Sequence, residues 1–188
     1  MIEPEICFCN LDELMDIEED FLKYIVNYCL TNCREDIEFL DKFASKGLLD
    51  KLEKLVSSKF VRIDHKDVID ILKKAPVKWE FTPEYGEDIA KEHEKYITEY
   101  FGCPVFIKNW PKDIKAYYMK VNADNETVAA VDLEVPGCGE LMGGSQREED
   151  YNKLLERMHE FNINTEDIEC YLNLRKYVTT VHSGFGLG

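Results

Sequence analysis

A chain of 188 residues, 45% hydrophobic and 32% charged, is long enough to bury a sizeable core and reads as one soluble globular domain. Its 38 acidic against 23 basic residues leave a formal net charge of −15, which argues against nonspecific binding to nucleic acid, since that depends on neutralising Lys and Arg. No apolar run approaches the ~20 residues that span a bilayer, and MIEPEICFCN lacks the basic start and apolar core of a secretory signal, so a cytoplasmic protein with no membrane role is expected.

Residues 1–9 alternate loosely and read as a strand. Asn10 then stands as an N-cap, with Glu13 three residues on as its capping-box partner. Asp12, Glu13 and Asp16 suit the positive end of a helix dipole. Leu11, Leu14, Met15, Phe21, Leu22, Ile25, Tyr28 and Cys29 recur at helical spacing, so 11–33 is an amphipathic helix. Residues 35–58 continue as shorter helices with Gly47 as a stop. Phe60 to Ile63 form a short strand. Asp64 caps a helix running to about Lys74, before Pro76, and residues 77–83 are extended. The next helix runs from Gly86 to about Phe101, with Ile89, His93, Tyr96, Ile97, Tyr100 and Phe101 on one face, and Gly102 closes it.

The pattern changes after residue 102. Pro104–Asn109, Lys115–Lys120, Thr127–Val135 and Gly139–Ser145 are β-rich runs between turn residues, and tight turns imply antiparallel pairing. Tyr151, Leu154, Leu155, Met158 and Phe161 mark one helix; Ile168, Tyr171 and Leu172 mark another, capped by Asn164 or Thr165. The tail HSGFGLG reads as a frayed glycine-rich terminus. The class is α+β: an antiparallel β-sheet flanked by helices. Residues 1–9 are strand, 10–101 mostly helical, 102–147 antiparallel strands and 148–188 helices plus the tail.

Seven cysteines at irregular spacing make no repeated CxxC pair and read as structural thiols in a reducing compartment. Cys7 and Cys9 would share one strand face. His93 reads as a core histidine, His65 and His159 as surface residues, and no nucleophile–base arrangement stands out.

The richest stretch is VDLEVPGCGELMGGSQRE, residues 131–148. Val128, Ala130, Asp132 and Glu134 share one strand face; Ala129, Val131, Leu133 and Val135 share the other, apolar one. The Pro136–Gly137 turn brings Glu140 opposite or diagonal to Asp132, ~5–8 Å away at Cβ. Two such carboxylates repel unless a cation lies between them, and Mg²⁺ bridged to phosphate oxygens suits that arrangement. Gly143 and Gly144 let backbone approach a ligand, and Arg147 can fork onto a carboxylate, amide or phosphate oxygen. On the residues alone, a solvated surface hairpin is the favoured alternative.

FGCPVFIKNWPKDIKAYYMK, AAVDLEVPGCGELMGGSQREEDY and HSGFGLG occur in that order. They resemble the C-terminal half of the catalytic domain of asparagine–tRNA ligases, which are class II aminoacyl-tRNA synthetases, and MIEPEI resembles the second strand of that family's motif 2. The resemblance spans nearly the whole chain and implies a single partial catalytic domain over 1–188. It implies that Asp132 and Glu140 hold Mg²⁺ and ATP phosphates. Arg147 would read the side-chain oxygen of the bound amino acid, Glu3 would sit near its amino group or amide, and Glu5 would assist. Gly184, Gly186 and Gly188 would begin motif 3 and leave room for adenine and ribose. No chemistry is assigned to Ser145 or Gln146. The implied partners are asparagine, ATP and the acceptor end of tRNA, in a homodimeric parent.

The implied reaction forms asparaginyl-adenylate from asparagine and ATP, then moves the acyl group to tRNA. The family's phosphate-clamping arginines would fall before Met1 and after Gly188, so the chain by itself is expected to be inactive. Val178 and Val181 replace a glycine and a proline usual in the family. The close aspartate-specific relatives, an asparagine-forming paralogue and a noncatalytic synthetase-like interaction module are the competing readings.

Overall fold

The computed structural model describes residues 1–177 and 179–188. Its strands are β1 (Glu5–Cys7), β2 (Val61–Asp64), β3 (Val105–Pro111), β4 (Thr127–Val135), β5 (Gly139–Gln146) and β6 (His182–Leu187). Its helices are α1 (Leu11–Asn32), α2 (Arg34–Phe43), α3 (Leu48–Ser57), α4 (His65–Lys74), α5 (Lys91–Phe101), α6 (Tyr151–Glu160) and α7 (Glu169–Tyr177). The strands form one sheet in the order β1-β6-β5-β4-β3-β2. The β3–β4–β5 meander is antiparallel as expected, but β2 runs parallel to β3, so the sheet is mixed. The parallel pair is possible because α4 and α5 supply the long crossover that such a connection needs.

The capping box at Asn10 is formed: its side chain accepts from Glu13 N at 3.0 Å, and Glu13 accepts from Asn10 N at 2.8 Å. From there α1 turns Leu11, Leu14, Met15 and Leu22 into a core with Phe60, Phe106, Ala129, Val131, Leu133, Met142 and Phe185. A second core lies on the opposite sheet face, where Val68, Ile69, Leu72 and Ile97 meet Val105, Ile107, Trp110, Val128 and Ala130. All nine residues of β4 are therefore buried, against the expectation of one solvated face. Full burial of each such aliphatic or aromatic side chain favours folding by ~1.5–3 kcal/mol, so both faces of β4 hold the sheet together.

The helix expected from Gly86 begins at Lys91, because the His93 ring accepts from Ala90 N at 3.0 Å and its other nitrogen bonds Phe81 O at 2.9 Å, which pins the preceding segment in an extended path. Lys115–Lys120 is not a strand; it makes turns and one isolated bridge, Met119 to Arg147. The glycine-rich tail is not frayed. It is β6, bonded to β1 on one side and β5 on the other. Cys7 and Cys9 do not share a face, because Phe8 takes φ 59° and turns Cys9 into the core while Cys7 stays exposed. His65 is fully buried rather than on the surface. The position of Val178 lies outside the described residues; Val181 carries the chain into β6, its carbonyl accepting from Phe8 N at 2.6 Å. Among the described residues no helix is long and apolar enough to cross a membrane.

Candidate active site

The site grows from the β4–β5 hairpin. Gly137 and Gly139 take φ 83° and 82°, which an L side chain resists, and Cys138 N closes the turn on Val135 O at 2.9 Å. Past the turn, Glu140 pairs with Glu134, Met142 with Leu133 and Gly143 with Asp132. Leu141 is the extra residue of a bulge, and bulges re-aim neighbouring side chains. Glu140 therefore stands opposite Glu134 and diagonal to Asp132, one of the two positions expected.

The two carboxylates face each other above Gly143. A Cβ on Gly143 would lie 2.9 Å from Glu140 Oε1 and 3.4 Å from Asp132 Oδ1. The space between the acids thus exists because residue 143 lacks a side chain. Asp132 is 7% exposed, and burial pushes its pKa up to about 6 even though Lys115 donates to Oδ2 at 2.5 Å. Glu134 is 2% exposed with Oε2 unpartnered; burial first, then Glu94, Asp132 and Glu140, pushes it up to about 9. The picture of a solvated surface hairpin therefore fails for Asp132 and Glu134 and holds for Glu140 and the turn residues 136–138, which are exposed. Asp132 and Glu140 repel when both are ionised, and a cation between them relieves that repulsion. Magnesium is held through one or two carboxylates plus substrate oxygens, and the Asp132–Glu140 pair over Gly143 fits that donor set. Among the described residues no three His, Cys, Asp or Glu form a complete metal cluster, so other ligands would come from substrate or water.

Arg147 follows β5 and lies about two strand rows from the acids. Its Nη2 donates to Glu5 Oε1 at 2.6 Å, and Nε contacts both Glu5 oxygens at 3.2 and 3.3 Å. Nη1 donates to Ser145 Oγ at 2.5 Å, and the guanidinium lies 5.1 Å from the Tyr118 ring centroid. Three neighbours thus aim one cation. Glu5 is brought to Arg147; Glu3 is exposed near the start of the chain and is not part of that contact.

Cross-strand pairing sets the glycines between these groups. Gly184 lies opposite both Ser145 and Glu5, and Gly186 lies opposite Gly143. Partners directly across a ladder share a face, so Glu5, Gly184 and Ser145 form one row and Gly186, Gly143 and Asp132 form the next. A Cβ on Gly184 would meet Glu5 Cδ at 2.6 Å and Arg147 Nη2 at 2.7 Å. A Cβ on Gly186 would meet nothing within 4 Å, so the sheet is open above it. Gly188 lies beyond the end of β6.

Sequence reasoning missed Lys115, which lies in a run misread as a strand. It also missed Glu18 of α1, which packs behind the site: a Cβ on Gly144 would lie 2.7 Å from Glu18 Oε1. Glu18 is fully buried with both oxygens unpartnered, and burial pushes its pKa up to about 8. Its position in the polar-looking run IEED gave no signal.

The profile of the family "tRNA synthetases class II (D, K and N)" matches residues 1–188. The asparagine–tRNA ligases of Acholeplasma laidlawii and Clostridium tetani are 53% and 51% identical to this chain across its whole length. The chain spans 41% of each of those relatives. The crystal structure of asparaginyl-tRNA synthetase from Pyrococcus horikoshii complexed with asparaginyl-adenylate superposes with a TM-score of 0.87 at 38% identity, covering 99% of this chain and 41% of that one. An aspartyl-tRNA synthetase from Entamoeba histolytica, 20% identical, reaches 0.84 over 99% of this chain and 38% of its own, which is a likeness of fold alone.

Proposed function

This chain belongs to the class II tRNA synthetases (D, K and N), and we propose that it forms part of the catalytic domain of a protein that joins asparagine to its tRNA through asparaginyl-adenylate. The observation that carries this reading is the Glu5–Arg147 pair beside the Asp132–Glu140 pair on one open sheet face.

The chemistry follows from that arrangement. A carboxamide presents a carbonyl acceptor and an NH₂ donor. Arg147 donates to the carbonyl, and a neighbouring carboxylate accepts from the NH₂. A donor beside an acceptor suits asparagine; an aspartate carboxylate would meet Glu5 as a like charge. The relatives named asparagine–tRNA ligases support the same choice. By the family resemblance Glu3, exposed near the start of the chain, would sit near the amino group or amide of the substrate.

Asp132 and Glu140 would hold Mg²⁺ against the phosphates of ATP. When bound, Mg²⁺ neutralises charge on the phosphate oxygens. Gly186 leaves the sheet open for the adenosine half, with Gly184 before it in β6 and Gly188 just past the strand's end. The asparagine carboxylate oxygen attacks the α-phosphorus, the bond to the bridging oxygen breaks and pyrophosphate leaves. The 3′-terminal hydroxyl of tRNA then attacks the acyl carbon and AMP leaves. No side chain becomes covalently attached, so these residues act by orientation and charge.

Aminoacylation by the full-length protein, with ATP, Mg²⁺, transfer RNA and labelled asparagine, tests the proposal. Asparagine attached to tRNA is the expected product. Attachment of aspartate in preference to asparagine, or of neither, would overturn it.

A further inference from the structure

Lys115 is fixed from two sides. A short 3-10 turn at Lys112–Ile114 follows β3 and delivers it beneath the hairpin. Its Nζ lies 3.8 Å from the centroid of the Trp110 ring. Trp110 is itself immobilised: it is 1% exposed, its indole N–H donates to Ile107 O at 2.8 Å, and its ring packs against His65 with centroids 4.4 Å apart and planes tilted by 40°. From the indole, the ammonium reaches Asp132 Oδ2 at 2.5 Å. That contact uses one carboxylate oxygen and leaves Oδ1 on the Gly143 side, where Glu140 Oε1 also points.

We propose that Lys115 is a positioning residue for the cation site: it holds Asp132 by Oδ2 so that Oδ1, with Glu140, remains directed at the cation. The inference rests on the reading of Asp132 and Glu140 as cation ligands. Without Lys115, Asp132 would be free to rotate, and the neighbouring carboxylate of Glu140 would drive it away from the shared space. A compact ammonium suits this task because it engages one oxygen of Asp132 and leaves the other free. Groups that orient metal ligands from behind typically change metal affinity by about 10–100-fold when removed.

Manganese binding to the full-length protein, followed by electron paramagnetic resonance with a non-hydrolysable ATP analogue present, tests the role. K115M is expected to weaken Mn²⁺ binding about tenfold or more, K115R to recover most of the affinity, and asparagine affinity by calorimetry to stay unchanged. Wild-type or tighter Mn²⁺ binding by K115M would overturn the proposal, since Lys115 would then be idle or a competitor of the cation. A loss in K115R equal to that in K115M would also overturn it, by showing that packing and not charge is at work. Should K115M fail to fold by circular dichroism, K115Q decides in its place with the same two outcomes. D132N separates the proposal from its premise: unchanged Mn²⁺ binding in D132N removes the cation site itself, whereas loss in D132N with full binding in K115M rejects Lys115 alone.

Discussion

Arg147 reaches back across the whole chain to Glu5, with Nη2 at 2.6 Å from Oε1 and Nε at 3.2 and 3.3 Å from the two carboxylate oxygens. The contact exists because β6 lies between β1 and β5, with Gly184 opposite both Glu5 and Ser145. The absence of a side chain at 184 lets the two ionic groups meet over the strand.

That geometry makes residue 184 as consequential as Arg147. Arg147→Ala should lower kcat/KM for asparagine by ~100-fold or more, the scale of losing a charged recognition contact, while ATP affinity stays near wild type. Gly184→Ala should give a loss of the same kind, since its Cβ would stand 2.6 Å from Glu5 Cδ and 2.7 Å from Arg147 Nη2. Steady-state kinetics with asparagine varied, alongside ATP titration, checks both.

Gly143 and Gly186 face each other in register, but their substitutions should differ. Gly143→Ala puts a methyl 2.9 Å from Glu140 Oε1 and 3.4 Å from Asp132 Oδ1, so Mn²⁺ binding should fall while thermal stability changes little, because the crowded atoms end side chains. Gly186→Ala enters open space and should spare both stability and Mn²⁺ binding while weakening ATP. Equal effects of the two on Mn²⁺ binding would contradict the assignment of the two halves of the surface.

Glu18 gives a pH dependence with a definite sign. Its folded pKa, about 8, lies above the ordinary 4.5, so between those values the folded state binds more protons than the unfolded state. Stability from this group is present at low pH and is lost as pH rises toward 8, at ~1.4 kcal/mol per unit of pKa separation. Glu18→Gln keeps the shape and removes the ionisation. The variant should be more stable than wild type at pH 8, by on the order of 2 kcal/mol, and the gap should shrink toward pH 5. Urea unfolding of both proteins at the two pH values measures it.

His65 predicts the opposite slope. Burial lowers its pKa to about 4 from 6.5, so the folded state binds fewer protons and stability is lost as pH falls from 6.5 toward 4. Neither ring nitrogen makes a hydrogen bond of good geometry, the backbone at Glu87 opposes the shift only in part, and the ring lies against Trp110 and Tyr85. His65→Phe should therefore be neutral or stabilising at pH 7 and should clearly exceed wild type at pH 4.5; a less stable variant at pH 4.5 would reject this account.

How much of this was legible in the chain depends on the range of the interaction. The Asn10–Glu13 capping box, the spacing of α1, the tight turn at Pro136–Gly137 and the diagonal of Asp132 and Glu140 are local, and sequence periodicity carries them. Arg147 was legible as a forked cation, but its partner Glu5 lies at the other end of the chain and follows only from β6 entering the sheet. The tail HSGFGLG looked frayed because glycine favours no strand; neighbours on both sides supply the order. Lys115 and Glu18 are charged residues in polar-looking runs. What singles them out is Trp110 and Asp132 in one case and Gly144 in the other, none of which is adjacent in sequence.

The central claim is that this surface activates asparagine with ATP. ATP–pyrophosphate exchange by the full-length protein, with asparagine and aspartate compared at equal concentration, tests it most directly. Exchange that depends on asparagine and Mg²⁺, exceeds that with aspartate by ~100-fold or more and disappears in Arg147→Ala is the predicted result. Exchange as fast with aspartate, or exchange with asparagine that survives Arg147→Ala unchanged, would contradict it.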